Sequence, residues 1–342
     1  MHLLNTLYVT TAESHLRLDN DTLRVDVEQE TRLRVPLHHL QAVVCFGHVS
    51  LSVPLMHRLA DDAIALVLLD THGRFKARLE GGVSGNVLLR MAQHKAAGDA
   101  AATLSIARCL VAGKLRNQRQ VLLRGAREAK ASDDTEALSR AALDLAASLR
   151  AVPGAPTLDS LRGVEGEAAR TYFAALNRLV RTDLRSAFAM NGRSRRPPRD
   201  RFNALLSFFY SMWMNDCRSA CEAAGLDPQI GFLHTVRPGR AALALDLMEE
   251  FRPFADRLVL TMVNRGQIAG EDFTEREGGA VLLDGDARKA AVVAYQERKQ
   301  EAITHPLLAE SVPVGMLPLV QARLLARCLR SEVTTYVPFA MR

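Results

Sequence analysis

The spacing of apolar residues changes character once along this chain of 342 residues, and that change limits the folds open to it. Before residue 80 apolar and polar residues alternate, in LYV (7–9), HLRLD (15–19), TLRVDV (22–27) and TRLRVPL (31–37), with Asp19-Asn20-Asp21 as a hairpin turn. QAVVCFG and AIALVLLD are denser, as suits strands covered on both faces, and LSVPLMHRLADD between them reads as a short helix. A turn at Asp70-Thr71-His72-Gly73 ends the last of these strands. After Gly81-Gly82 the period becomes helical, over Val87 to Arg124, then Glu136 to Leu149, and beyond Pro153 and Pro156 almost to Cys328. The expected fold class is α+β, with a small β-rich N-terminal domain over residues 1–80 and a larger all-helical C-terminal domain over residues 81–342.

Charge narrows the function classes. Lys and Arg number 44 against 38 Asp and Glu, and only six of the 44 are lysines. Arginine's planar fork suits phosphate, so partners carrying phosphate are favoured over a neutral polymer, although a chain-wide preference for Arg over Lys accounts for the same count. Cys45, Cys109, Cys217, Cys221 and Cys328 are odd in number and form no CxxC pair, which points to a reducing compartment rather than a disulfide framework. The first residues turn polar too early for a secretory signal, and the apolar run Ala63 to Leu69 is far too short for a bilayer. A cytoplasmic protein with no membrane association is expected.

One segment, NGRSRRPPRDR over 191–201, sets Arg193, Arg195, Arg196, Arg199 and Arg201 against a single Asp200, while Pro197-Pro198 forbids helix. It reads as an exposed loop, either simply solvated or contacting phosphates. Helical order resumes at Phe202-Asn203 and runs to Gly225, a candidate C-terminal cap.

No P-loop, dinucleotide fingerprint, HExxH or GxSxG elbow occurs, so chemistry must come from carboxylates and histidines within apolar helices. Three places qualify. Gly163-Val164-Glu165-Gly166-Glu167 opens a long helix, with Glu165, Ala169 and Tyr172 on one face and the small Gly166 allowing close approach. Capping is the ordinary explanation for acids there, and spacing does not choose between Glu165 and Glu167. His234, ahead of the basic turn Arg237-Pro238-Gly239-Arg240, is either a structural residue, a metal ligand or a proton acceptor. In Leu245-Asp246-Leu247-Met248-Glu249, the two acids three apart lie about 60 degrees apart on a helix, so both can address one point, where a hard divalent cation would relieve their repulsion.

These pieces together resemble a known family, the universal CRISPR-associated adaptation integrase, a metal-dependent DNA endonuclease that inserts spacers into CRISPR arrays. The resemblance covers nearly the entire chain: LYV, RVPLHHLQAVVCFGHVSLS, Gly85-Asn86-Val87 through Gln93, LRGVEGEAARTYF, the Asn203 helix with Tyr210, DPQIGFLHTVRPGRAALALDLMEEFRP and VNRGQIAGEDF. The arginine-rich form and the terminal Tyr-Val-Pro-Phe are most similar to the type I-C variant.

The resemblance implies catalytic and metal-binding roles for Glu165, His234 and Glu249, and so selects Glu165 over Glu167. Asp246, Asn203 and Tyr172 would support them, and Arg193, Arg195, Arg196, Arg199, Arg237 and Arg240 would contact DNA. Glu249 stands where many members carry Asp. The implied cofactor is Mg2+ or Mn2+, and the implied reaction is attack of a spacer 3′-hydroxyl on a phosphodiester of double-stranded DNA. The N-terminal domain would dimerise, and the homodimer would join the second universal CRISPR-associated adaptation protein in a heterohexamer. From pattern alone a non-catalytic DNA-binding assembly subunit is slightly favoured, and the resemblance reverses that order.

Overall fold

The computed structural model describes residues 6–71, 73, 75–79, 81 and 87–341. Two compact units divide the chain: Met1–Gly85 with Ala291–Gln300, and Asn86–Ala290 with Glu301–Arg342. The expected boundary at Glu80, His72 of the expected turn, Gly82, and Gly85-Asn86 of the family-like run lie outside the described residues.

In the first unit the alternating segments become β1 (Thr6–Val9), β2 (Ser14–Asp19), β3 (Thr22–Val27) and β4 (Glu30–Pro36). Asn20 turns the β2–β3 hairpin with φ +52°, the left-handed region that Asn tolerates. The denser runs become β5 (Ala42–Phe46) and β7 (Ala65–Leu69), separated by β6 (Val49–Leu51) and α1 (Val53–Asp61), and β8 (Phe75–Leu79) follows. β5 and β7 are the inner strands of a sheet ordered β1-β5-β7-β8, which is why they lack polar alternation. The second sheet has the order β4-β3-β2-β6. Leu16, Leu23, Val43, Leu55, Leu59 and Leu66 form the centre of one apolar core in this unit.

The second unit contains α2 (Val87–Gly98), α3 (Ala100–Glu128), α4 (Ser132–Ala151), α5 (Leu158–Leu176), α6 (Arg201–Ala223), α7 (Ala242–Met248) and α8 (Arg252–Asn264). A ribbon of β9 (Phe273–Arg276) and β10 (Ala280–Leu283) follows, then α9 (Gly285–Gln300), whose residues from Ala291 on belong to the first unit, and the second unit resumes with a ribbon of β11 (Ala302–Thr304) and β12 (Ser311–Pro313) and then α10 (Leu317–Leu329). The helical C-terminal region thus carries two short ribbons that an all-helical reading leaves out. Gly278 and Gly279, with φ +89° and +73°, make the first of their turns.

The long helical pattern from Val87 breaks at Asp99, whose carboxylate accepts from the amides of Ala101 and Ala102 at 2.8 and 3.2 Å and so starts α3. α3 packs along α4 and α5, while α6 supports α7 and α8. Trp213 of α6 stacks on Phe251 with ring centres 5.6 Å apart, and Phe254 and Phe339 close the aromatic cluster. That cluster fixes the turn between α7 and α8. Among the described residues no helix is long and apolar enough to cross a membrane.

Candidate active site

The turn after α7 decides where the acids point. Asp246 is fully buried, and its carboxylate accepts from the amides of Phe232, Leu233 and His234 at 2.6, 3.0 and 2.8 Å. His234 Nδ1 meets the same carboxylate at 2.7 Å. An ionised Asp246 accepts there, so Nδ1 carries the hydrogen and Nε2 is left to face Glu249 Oε1, 3.8 Å away. Gly231 permits this closeness, since a Cβ there would stand 2.7 Å from both Asp246 Oδ2 and the backbone of Ala242.

Glu249 faces elsewhere. α7 stops at Met248, Glu249 caps it, and Pro253 helps restart the chain as α8. Asp246 and Glu249 therefore do not address one point, as a continuous helix would have had them do. Asp246 organises the His234 loop. Glu249, 2% exposed, takes Arg252 Nε at 2.8 Å on Oε1 and meets the ammonium of Lys114 at 2.6 Å on Oε2. This second contact lacks hydrogen-bond alignment, leaving Oε2 a buried acceptor with charge compensation and no aligned donor. Burial pushes the Glu249 carboxyl up, but Arg252, Lys114 and His234 together hold it well below the usual carboxylate range.

Lys114 also pairs with Glu165 of α5, so one ammonium bridges two carboxylates from separate segments. Lys114 is nearly buried, whereas Glu165 and His234 keep 25% and 20% of their side chains exposed, which gives the cluster an open side. A Cβ at Gly166 would meet nothing within 4 Å, so the helix face beside Glu165 is clear. Glu167 is exposed and pairs with Arg170 at 3.7 Å, outside the cluster.

Behind the cluster, Asp256 receives the hydroxyls of Tyr172 and Tyr210 at 2.8 and 2.6 Å. Arg252 lies 4.6 Å over the Tyr210 ring, linking this pair to Glu249. Tyr172 thus acts at one remove, through Asp256. Glu250, beside Glu249, accepts from the Tyr336 hydroxyl, from Gln321 at 3.0 Å and from the Phe339 amide at 2.6 Å. Burial pushes its carboxyl up to about 8 despite these donors. Asn117 adds bonds to the carbonyls of Glu250 and Phe339 at 2.9 and 3.0 Å, so the C-terminal segment is stitched onto the turn that carries Glu249.

The arginines of the 191–201 loop divide. Arg193 turns inward, donating to Asn203 at 2.7 Å and Ser207 at 3.1 Å and lying over Tyr210. That removes it from the exposed face assigned to it by charge alone. Asn203 is fully buried and shapes the loop through Asp200, Gly192 and Ser194, with no contact to the acidic cluster. Arg199 is exposed and donates to the Gly278 carbonyl at 3.1 Å. Arg195, Arg196 and Arg237 are exposed as well, while Arg240 is half-buried. Burial, then Arg237, Arg162 and Arg196 nearby, lower the Arg240 pKa, so these cations crowd one another beside the His234 loop. Arg162 also holds that loop by donating to the Leu233 carbonyl at 3.0 and 2.6 Å.

Among the described residues no three acids, histidines or cysteines are already gathered as a metal-holding group. The donor chemistry nevertheless fits a hard divalent cation: two carboxylates, an imidazole nitrogen freed by Asp246, and a buried oxygen of Glu249 without an aligned donor. Lys114, Arg252 and Asp256 were not singled out by sequence reasoning. Lys114 carried a signal all the same, being one of only six lysines and set between apolar residues in CLVAGKL.

Residues 7–297 match the family described as CRISPR associated protein Cas1. A CRISPR-associated endonuclease Cas1 of Moorella thermoacetica is 56% identical over the full length of both chains. A second, from Rhodospirillum rubrum, is 49% identical over 98% of each. Among solved structures, a CAS1 protein from Thermotoga maritima matches with a TM-score of 0.80 at 23% identity, covering 99% of this chain and 100% of that one. A casposase bound to integration product matches at 0.84 and 20%, covering 98% and 93%, which shows a shared fold. With its two β-sheets, its helical region and the clustered Glu165, His234 and Glu249 in place, this chain belongs to the Cas1 family of CRISPR-associated proteins.

Proposed function

We propose that this protein is a metal-dependent DNA integrase and endonuclease that joins spacer DNA to a CRISPR array. The single observation that carries this reading is the convergence of Glu165, His234 and Glu249, from three separate segments, on one partly open cluster. Relatives named as endonucleases support it, and so does the fold shared with a casposase bound to integration product.

Glu165, His234 and Glu249 would hold Mg2+ or Mn2+, which when bound supplies charge stabilisation to a phosphodiester under attack and to the attacking oxygen. Asp246 keeps the imidazole hydrogen on Nδ1 and orients Nε2 toward the site. Arg252 fixes one oxygen of Glu249. Arg195, Arg196, Arg237 and Arg240 would receive the DNA backbone, which needs charge but no base reading. With a spacer 3′-hydroxyl as nucleophile one phosphodiester replaces another, and with water the product is a nicked strand.

Double-stranded DNA is the proposed substrate. A homodimer assembled with a Cas2 protein is the proposed working form; the Cas2 partner is supported by a Cas6-RT-Cas1–Cas2 complex that shares the fold at 24% identity and a TM-score of 0.82, matched over 98% of this chain and 36% of that one, and the homodimer rests on the family resemblance alone. Strand transfer by Glu249→Gln, measured with duplex binding on the same preparation, tests the reading. Loss of transfer with binding retained is expected. Transfer at the wild-type rate would remove Glu249 from the metal role, and a wild-type chain with no divalent-metal-dependent transfer would favour a non-catalytic assembly subunit.

A further inference from the structure

We infer that Lys114 is a built-in counter-cation, seated between Glu165 and Glu249 in the metal-free protein, and that a divalent ion must displace it. This rests on the proposed metal role of those two acids. Two carboxylates that converge in a poorly solvated place repel one another, and here a single ammonium contacts both. Its side chain is 7% exposed, so its charge is spent on these two partners rather than on water. A compact ammonium on a flexible stem can occupy and leave a cation-sized gap, whereas the broad guanidinium of the chain's usual basic residue suits it poorly.

Local packing explains why the lysine reaches the site. A Cβ on the neighbouring Gly113 would lie 2.6 Å from Pro338 and 3.3 Å from the Glu250 side chain. The glycine therefore lets α3 press against the turn that carries Glu249. Charge balance gives the same answer. Glu165 and Glu249 carry two negative charges, and Lys114 and Arg252 carry two positive ones. A divalent ion added on top would leave two excess positive charges, whereas one exchanged for Lys114 leaves a single one. Arg252 is the fixed member, bonded to Glu249 and lying 4.6 Å over Tyr210. Lys114 is the one that can move, past the partly exposed Glu165. The lysine so placed keeps the ligands assembled while lowering the affinity of the site for metal.

The test is Mn2+ affinity of the full-length protein by electron paramagnetic resonance, paired with melting temperature in EDTA and in Mn2+. Lys114→Met should bind Mn2+ about tenfold or more tightly than wild type, because a like charge has left the site. It should also melt lower in EDTA and gain more from Mn2+ than wild type does. Lys114→Gln carries the same expectation should the methionine variant fail to fold. Unchanged or weaker Mn2+ binding by the neutral variants, with binding still lost in Glu249→Gln, overturns the counter-cation role alone. Equal Mn2+ binding by wild type and Glu249→Gln overturns the metal site itself.

Discussion

The Nδ1 of His234 lies 2.7 Å from Oδ1 of Asp246, and the same carboxylate accepts the backbone amide of His234 at 2.8 Å. One buried acid therefore sets both the loop and the imbalance between the two ring nitrogens. Asp246→Asn keeps the shape but offers an amide in place of the acceptor pair. Strand transfer and Mn2+ affinity should each fall by about 10- to 100-fold, as for other carboxylate–imidazole pairs behind a metal. Comparing both in wild type and variant, per folded molecule, checks it; a variant with unchanged Mn2+ affinity would confine Asp246 to loop structure.

Gly231→Ala probes the same loop from the backbone side. The added Cβ would stand 2.7 Å from Asp246 Oδ2 and from the Ala242 carbonyl carbon, neither at the end of a long flexible chain. A loss of about 1–3 kcal/mol in unfolding free energy is expected from such overpacking. Denaturant unfolding measures it, and a loss within error of zero would mean the loop yields freely.

Much of this was legible in the sequence, for physical reasons that differ by element. The alternation in β2 and β3 and the apolar density of β5 and β7 follow from which faces are covered, and each leaves a mark along the chain. β6, β11 and β12 have three residues each, too few for a period to show. The break between α2 and α3 hides in an alanine-rich run, marked only by Asp99. Glu165, His234 and Glu249 were reached through family resemblance. The one-helix argument for Asp246 and Glu249 failed because α7 ends at Met248, which local periodicity does not reveal. Lys114 escaped notice because its partners lie on other helices, and Arg193 was misplaced because charge along a loop does not say which side chain turns inward.

Asp256 gives a pH signature. Burial raises its carboxyl from 3.8 to about 6, against the lowering effect of the Tyr210 and Tyr172 hydroxyls. The folded state thus holds a proton that the unfolded state has released, so the contribution of Asp256 to stability falls as pH rises from 3.8 toward 6 and is level above. The span amounts to about 3 kcal/mol. Asp256→Asn should flatten this slope, seen as a wild-type-minus-variant difference in unfolding free energy that changes below pH 6 and not above it. A difference independent of pH would show that the carboxyl titrates normally.

The arginines should separate by role. Replacing Arg195, Arg196, Arg237 and Arg240 with Gln should reduce the log–log salt slope of duplex binding by about 0.9 for each phosphate left without its arginine, with similar weakening across DNA sequences. Arg193→Gln should lower the melting temperature and leave that slope in place, because its guanidinium is spent on Asn203 and Ser207. A salt titration with parallel melting curves decides it, and the reverse pattern would contradict the division.

The central claim is that Glu165, His234 and Glu249 hold a divalent ion together, and Mn2+ soaked into crystals of the full-length protein tests it most directly. The account predicts one anomalous peak bounded by the two carboxylates and His234 Nε2, with the Lys114 ammonium moved off the gap between Glu165 and Glu249. Crystals of an active protein that show no peak there, or show the peak elsewhere with Lys114 still bridging both acids, would contradict it.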